Sequence, residues 1–439
     1  MRSGIVGKRM GRSMDEKKYQ QYVNILKEEL VPAMGCTEPI AVAYAAALAR
    51  KTLGQVPERA DVIVSGNIIK NVKSVIVPNT GGMHGLEAAA AAGITAGEAD
   101  RELEVLAGVE EEEIPAIQEY LDTHEIDVQR ADTDRVFEID LRVYSGAESA
   151  RVLICDRHTN VVQIEKNGTP EYVKQDNEED AFPQKTDHSV LNIEEIVEFA
   201  ERADLEDVKE TLQRQIDYNT AIAREGLGNP YGARIGQVLL ESYGDSVQNQ
   251  AKAWAAAGSD ARMGGCGLPV VINSGSGNQG ITVSLPVIKY AEHLNSGRDK
   301  LLRALIIGNL TAIHLKTGIG CLSAYCGATS AGAGAAAGIT YLYGGGLEEI
   351  SHTIVNTLAI NSGVVCDGAK ASCAAKIASA VEAGLLGMNM YKQGSEFYSG
   401  DGIVTKGVEN TIDNVGELAR EGMADTDKEI IHIMLKKRA

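Results

Sequence analysis

The stretch of residues 317–347 carries no charged side chain and consists mostly of Gly, Ala, Ser and Thr. As a helix, a segment of this length could cross a bilayer. Its side chains are too weakly apolar to partition into lipid on their own. A chain that contains this segment must bury it in some other way. We expect closely packed helices inside a folded domain, where small residues let two backbones approach.

Length and charge narrow the possible partners. With 439 residues, 44% of them hydrophobic, the chain can bury a large core and is long enough for two or three domains. A formal net charge of −19 argues against binding nucleic acid or an anionic membrane surface, because both require cationic patches. We therefore expect a small-molecule substrate. The sequence leaves the oligomeric state open and is compatible with a homodimer.

Seven cysteines and the absence of an apolar leader indicate the compartment. Residues 1–13 are basic and Gly-rich without the apolar core of a secretory signal, so we predict a flexible extension. Without an export signal, the cysteines fit a reducing cytoplasm in which thiols stay free or bind metal. The expected location is cytoplasmic.

Hydrophobic periodicity predicts an α+β fold. Residues 16–30 and 37–50 indicate two helices, and Cys36 lies at the start of the second. Alternating residues in 135–144 predict a half-buried strand, and we expect further strands at 61–64, 73–78, 151–156 and 160–165 and a helix across 85–129. After the acidic stretch 175–187 only helical patterning continues. The predicted organisation is a flexible extension (1–13), an N-terminal helical arm (14–55), an α/β lobe with a small, mainly antiparallel sheet (56–187), and a Gly/Ala-rich all-α domain (188–439).

Three cysteines in the second half suggest a metal site. Cys326, Cys366 and Cys373 have the spacing C-x39-C-x6-C, and glycines lie close to each. Structural zinc is poorly supported, because no CxxC or HxxxH pattern accompanies these thiols. Three thiolates suit a [4Fe–4S] cluster with one iron left open. On spacing alone, burial of cysteine as a small hydrophobic residue is the commoner explanation.

Four separated motifs carry a family resemblance: Gly35-Cys36-Thr37-Glu38-Pro39, Ser274-Gly-Ser-Gly-Asn-Gln-Gly280, Tyr325-Cys326-Gly327-Ala328 and Cys366-Asp-Gly-Ala-Lys-Ala-Ser-Cys373. From Met14 onward the chain resembles the L-cysteine desulfidases, and its second half is similar to the α-chain of iron–sulfur L-serine dehydratases. The resemblance implies pyridoxal-independent α,β-elimination of L-cysteine to pyruvate, ammonia and hydrogen sulfide. It also implies that Cys326, Cys366 and Cys373 hold a [4Fe–4S] cluster that acts as a Lewis acid, and that Cys36 is catalytic.

Two roles remain open for Cys36. At a helix N-terminus, partial positive charge would lower the pKa of its thiol, so that the thiolate could take the α-proton of the substrate. Alternatively, it could carry sulfur as a persulfide. Of the other cysteines, Cys155 is expected in the core, Cys321 could compete with Cys326 as a ligand, and Cys266 is left outside the site.

The Gly-rich segment 274–280 is the predicted carboxylate-binding loop. Its backbone N–H groups at Gly277 and the side chains of Ser274, Ser276 and Asn278 could bind a carboxylate, although an ordinary interhelical turn is the alternative. Further substrate contacts are predicted at Asn67 and Lys316. Lys370 and Lys376 lie near the cluster motifs, and candidate acid–base groups of lower priority are His84 and His314.

Two other functions compete with cysteine desulfidase. A serine dehydratase would perform the same elimination with hydroxide as the leaving group, but the Ser-Ser-His-Thr loop that the resemblance would imply is absent from the sequence. A non-catalytic iron–sulfur sensor protein is the second alternative.

Overall fold

The computed structural model describes residues 14–174, 186–320 and 323–436. Two predicted features, the extension 1–13 and most of the acidic stretch 175–187, therefore lie outside the described residues. The helices are α1 (Glu16–Glu29), α2 (Thr37–Leu53), α3 (Gly66–Val72), α4 (Leu86–Thr95), α5 (Ile114–Thr123), α6 (Ile193–Arg202), α7 (Lys209–Gly228), α8 (Ile235–Tyr243), α9 (Val247–Met263), α10 (Gly277–His293), α11 (Arg298–Ile319), α12 (Gly327–Leu342), α13 (Leu347–Ile360), α14 (Cys373–Lys392), α15 (Val408–Glu417) and α16 (Ala424–Leu435). The strands are β1 (Pro32–Met34), β2 (Arg59–Val64), β3 (Glu125–Arg130), β4 (Glu138–Ser145), β5 (Glu148–Cys155), β6 (Val161–Lys166), β7 (Thr169–Val173) and β8 (Pro269–Val271).

The predicted α+β class is confirmed. Six strands form one sheet in the order β3-β2-β4-β5-β6-β7. Strands β2 and β3 are parallel, and all the remaining neighbouring strands are antiparallel. On one face, alternate residues of β2 such as Ala60 and Val62 are fully buried, and α2 packs over β4 and β5. The opposite face carries polar side chains, among them Asp140 and Arg151, which form an ion pair. This alternation is what a sheet with a single buried face requires.

Small residues allow the helical half to pack closely around α12. An added Cβ at Gly334 would lie 2.4 Å from the carbonyl oxygen of Gly308 on α11, and one at Gly338 would lie 2.6 Å from that of Ala304. Helix α12 is almost entirely buried between α10, α11, α13 and α14. The expectation of packed helices in the uncharged segment is confirmed for its described part. Across the three described ranges, no helix is both long and apolar enough to span a bilayer.

A two-stranded sheet joins the N-terminal segment to the second half of the chain. Strands β1 and β8 are antiparallel, with Met34 opposite Pro269. Directly after β1, Gly35 adopts a φ of +48°, and an added Cβ would lie 2.1 Å from Cγ of Pro78. This position therefore requires glycine. The turn leads into α2, and Cys36 is the residue immediately before that helix.

Three local predictions were wrong. The helix predicted across 85–129 is interrupted and ends in the edge strand β3. The predicted strand 73–78 forms only an isolated bridge between Ile76 and His84, because Pro78 and the turn that follows it lead the chain away from the sheet. Strand patterning was expected to stop after residue 187, yet β8 pairs with β1.

Candidate active site

Backbone hydrogen bonds place Cys326 and Cys366 side by side. The Cys326 N–H donates to the Val364 carbonyl oxygen at 3.0 Å, and the Cys366 N–H donates to the Ala324 carbonyl oxygen at 2.6 Å. The two cysteines come from separate loops that an isolated bridge between Tyr325 and Val365 joins, and each thiol perturbs the pKa of the other. Two residues 40 positions apart in the sequence thus face the same cavity.

The third cysteine of the motif, Cys373, is the first residue of α14 and lines the same cavity. Two lysine contacts hold the loop between Cys366 and Cys373. Lys370, within the loop, pairs with Asp367 at 2.6 Å, and Lys376, on α14, donates a hydrogen bond to the Val365 carbonyl oxygen at 2.7 Å. The neighbouring Gly368 packs against α3. The two lysines therefore hold the loop that carries the cysteines.

Four helices begin at this cavity. Helices α2, α10, α12 and α14 each have a residue of their first turn or N-cap in the cavity wall. Helix N-termini carry partial positive charge and unpaired N–H groups, so they favour thiolates and other anions. Lys70, Arg262 and Lys316 add three cationic side chains to the described wall, whose one carboxylate is that of Glu38, and Lys70 is also ion-paired with Asp427. Together with the helix N-termini, these cations suit an anionic occupant.

The cavity has a volume of about 120 Å³. A space of roughly 10–15 Å³ already admits one water molecule, so this cavity is large enough for a small ligand.

The two thiols have pKa values shifted in opposite directions. Contact with the Cys326 thiol and the positive charges of Lys70 and Lys316 outweigh burial and lower the pKa of Cys366. Contact with the Cys366 thiol, together with burial, raises the pKa of Cys326 well above its usual range. Cys366 is therefore the member of the pair that ionises first.

Cys36 also lines the cavity, but its thiol is not activated as expected. The side chain is 3% exposed and donates to Glu38 Oε2 at 3.0 Å. Burial and the negative charge of Glu38 raise the pKa of Cys36 well above its usual range, despite its place at the start of α2. This direction is opposite to the lowered pKa expected from the helix terminus, because burial and a full negative charge at 3.0 Å outweigh a partial positive charge.

Glu38 connects Cys36 to His158. Burial alone would raise the pKa of Glu38, but the nearby His158 and the hydrogen bond from Cys36 outweigh it and lower the pKa to about 2. His158 Nε2 lies 3.7 Å from Glu38 Oε1, too long for a hydrogen bond, and that buried nitrogen has no hydrogen-bond partner among the described residues. Thr37 and Asn71 also donate to Glu38. An ionised carboxylate thus holds the Cys36 thiol.

The predicted carboxylate-binding loop faces the cavity in part. Ser274, Ser276 and Asn278 line it, whereas Gly277, the first residue of α10, lies behind the wall against Arg262. Lys316, near the end of α11, also lines the cavity. Asn67 lies on α3 and is not part of the wall, although its neighbours Lys70 and Asn71 are.

Other candidate residues lie elsewhere. Cys155 is buried at the end of β5, and Cys266 is buried beside Tyr231, outside the cavity wall. His84 is exposed. His314 Nε2 is hydrogen-bonded to Glu409 Oε2 at a distance of 2.6 Å, and neither residue lines the cavity. Cys321 lies outside the described residues.

Sequence reasoning assigned no role to four of the cavity residues, Glu38, Lys70, His158 and Arg262. Glu38 was named only as part of a motif, Lys70 lies on α3, His158 lies in the turn between β5 and β6, and Arg262 lies near the end of α9. Glu38 could have been noticed because it lies two residues after the motif cysteine Cys36. For His158 and Arg262 the sequence offers no comparable signal, because only the fold brings these separate segments to one cavity.

The donor set of the cavity fits a polynuclear thiophilic group. In the part of the chain that the structure describes, no group of three His, Cys, Asp or Glu side chains is placed to hold a single metal ion. Three thiols nevertheless share one cavity, and its cations and helix N-termini would offset the negative charge of their thiolates. Soft thiolates are the usual ligands of iron–sulfur clusters.

Comparison with known proteins gives the family. Residues 100–432 match a family model described as serine dehydratase alpha chain, so the chain belongs to the serine dehydratase α-chain family. Its relatives over the full length carry the name UPF0597 protein. The one from Desulfitobacterium hafniense is 57% identical over 423 residues, which cover 96% of this chain and 98% of the relative. Those from Lachnoclostridium phytofermentans and Aeromonas hydrophila are 52% and 40% identical, cover 95% of this chain, and match over 100% and 99% of their own lengths.

Proposed function

We propose that the protein is an L-cysteine desulfidase that uses a [4Fe–4S] cluster and no pyridoxal cofactor. The observation that carries this proposal is the meeting of Cys36 with Cys326, Cys366 and Cys373 at one cavity rich in positive charge. The serine dehydratase α-chain family is generally iron–sulfur dependent, which supports the cofactor. The motif around Cys36 supports cysteine as the substrate.

Cys326, Cys366 and Cys373 would hold the cluster. When bound, the cluster supplies a thiophilic Lewis acid with one iron that no protein ligand occupies. Lys70 and Lys316 would offset the negative charge of the thiolates, since both already favour the ionised form of Cys366.

The reaction consumes L-cysteine and water and yields pyruvate, ammonia and hydrogen sulfide. Removal of the α-proton leaves an electron pair that forms the Cα–Cβ double bond as the Cβ–S bond breaks, and sulfur departs with the bonding pair. The aminoacrylate product tautomerises to an imine, which water hydrolyses to pyruvate and ammonia. The protein must therefore supply a base for the α-proton and keep the substrate in one orientation.

Cys36 is the proposed base. Its thiol must first lose a proton, and the ionised Glu38 at 3.0 Å opposes that loss. A substrate ammonium placed near Glu38 would reduce the repulsion that this carboxylate exerts on a Cys36 thiolate. Binding of the amino acid would thus favour the reactive form of the residue.

The test is release of pyruvate and sulfide by protein reconstituted under anaerobic conditions. We expect turnover of L-cysteine, and we expect Cys366→Ala to abolish both cluster binding and turnover. Cys155→Ala is the matched control, because Cys155 is buried outside the cavity. A parent protein that carries the cluster and releases no pyruvate from L-cysteine would contradict the proposal.

The second candidate, serine dehydratase, is favoured by the description of the matching family. The same assay with L-serine separates the two, because the desulfidase should have the higher kcat/KM for L-cysteine. A loaded protein that turns over neither amino acid would favour a non-catalytic sensor.

A further inference from the structure

Arg262 is a buried arginine for which the described residues supply no counter-ion. It lies near the end of α9 and is 2% exposed. Its Nη1 donates to Asn278 Oδ1 at 3.0 Å, whereas its Nε is buried and has no partner among the described residues. Burying a guanidinium without an anion is costly. The side chain faces the cavity, so an anionic ligand there would complete its contacts.

The start of α10 is shaped to hold this guanidinium. An added Cβ at Gly277 would lie 2.3 Å from Nε and 2.7 Å from Cζ of Arg262. Only glycine allows the planar group to lie this close to the first turn of the helix. The guanidinium and the N-terminus of α10 therefore present positive charge to the same part of the cavity.

The one carboxylate in the described cavity wall, Glu38, is already engaged. It accepts hydrogen bonds from Cys36, Thr37 and Asn71. No ion pair joins Glu38 to Arg262 in the described structure, although Arg262 is close enough for its charge to lower the pKa of Cys36. The guanidinium therefore remains available to a ligand beside the proposed base.

We propose that Arg262 binds the α-carboxylate of the substrate, with Asn278 and Gly277 as positioning residues that fix the guanidinium. This inference rests on the proposed function for the identity of the substrate as an amino acid. It defines the substrate class as free small α-amino acids, because an amide or ester lacks the anion that Arg262 pairs with. Asn278 then acts through Arg262, which differs from the direct carboxylate contact predicted from the sequence.

The test measures equilibrium binding as well as turnover. L-Alanine keeps the carboxylate and ammonium but has no leaving group, and L-alaninamide lacks the carboxylate charge. We expect calorimetry on the cluster-loaded protein to detect L-alanine at least tenfold tighter than L-alaninamide. Arg262→Gln should weaken L-alanine binding tenfold or more and should raise KM for L-cysteine more than it lowers kcat. Arg224→Gln, at an exposed position of α7, is the matched control and should change neither.

Two results would overturn the inference: equal affinity of the parent for L-alanine and L-alaninamide, or parent-like L-alanine affinity in Arg262→Gln. If Arg262→Gln does not fold, Arg262→Lys and Gly277→Ala test the same role. Arg262→Lys removes the planar guanidinium, and Gly277→Ala displaces it. Parent-like affinity in both would equally refute the role.

Failure of this inference is distinct from failure of the proposed function. A parent that cleaves L-cysteine while Arg262→Gln keeps its KM and its L-alanine affinity would refute only the role of Arg262. A parent that binds L-alanine through Arg262 but releases no pyruvate from L-cysteine would refute only the desulfidase reaction.

Discussion

Replacing Gly368 with alanine should disrupt the loop that carries Cys366 and Cys373. Gly368 has a φ of +94°, and an added Cβ would lie 2.2 Å from the Lys70 carbonyl oxygen. Left-handed backbone strain in a non-glycine residue costs about 1–3 kcal/mol. Overpacking against a fixed neighbour costs about 1–3 kcal/mol more. The expected destabilisation of the loop is therefore about 2–6 kcal/mol, enough to move one cysteine away from the other two.

The assay is the iron and sulfide content of the reconstituted protein, measured together with its melting temperature. Gly368→Ala should bind little or no cluster. Gly363→Ala is the matched control, because an added Cβ there meets no atom within 4 Å, so its effect should stay within about 0.5 kcal/mol. Full cluster content in Gly368→Ala, with a melting temperature equal to that of Gly363→Ala, would refute the argument.

Three further predictions concern ionisable groups. Cys36→Ser should retain the cluster absorbance and lower kcat about 10²–10⁴-fold, as measured by pyruvate release; loss of iron would instead make Cys36 a ligand. Glu38→Gln should lower the pKa of Cys36, because burial is unchanged but the repelling charge is gone; the pH profile of Cys36 alkylation reports this, and an unshifted profile would contradict it. Burial raises the pKa of Asp260 from 3.8 to about 6, so its stabilising contribution is complete below about pH 4 and is lost as the pH rises through 6. The melting temperature of Asp260→Asn relative to the parent should therefore increase between pH 4 and pH 7, by the equivalent of at most about 3 kcal/mol, and a constant difference would contradict the shift.

The sequence predicted the elements whose side-chain pattern has one clear period. The alternation in β4 and the amphipathic face of α1 each have a buried side, so hydrophobic spacing identified them. Strand β3 was missed because it is an edge strand without a fully buried residue, and the residues of its partner β2 are 66 positions away along the chain. The apolar run before Pro78 is buried by packing without joining a ladder, which periodicity cannot distinguish from a strand.

Some residues of the candidate site could be predicted from the sequence, and others only from the fold. Family motifs identified Cys36, Cys326, Cys366 and Cys373 as a set, and the fold brings all four to one cavity. Their role as ligands and base stays a prediction. Arg262 could not be found in this way, because its significance depends on burial, on the missing Cβ of Gly277 and on the absence of a described partner. These are properties of the folded chain.

The four helix starts around the cavity have a consequence for how such a protein can diverge. Their field comes from peptide groups, so no single side-chain substitution removes it, and it persists as long as the helices keep their positions. Residues that touch a substrate can then change while the preference for anions survives. A scaffold of this kind can exchange one leaving group for another during evolution without rebuilding the electrostatics of its reaction chamber.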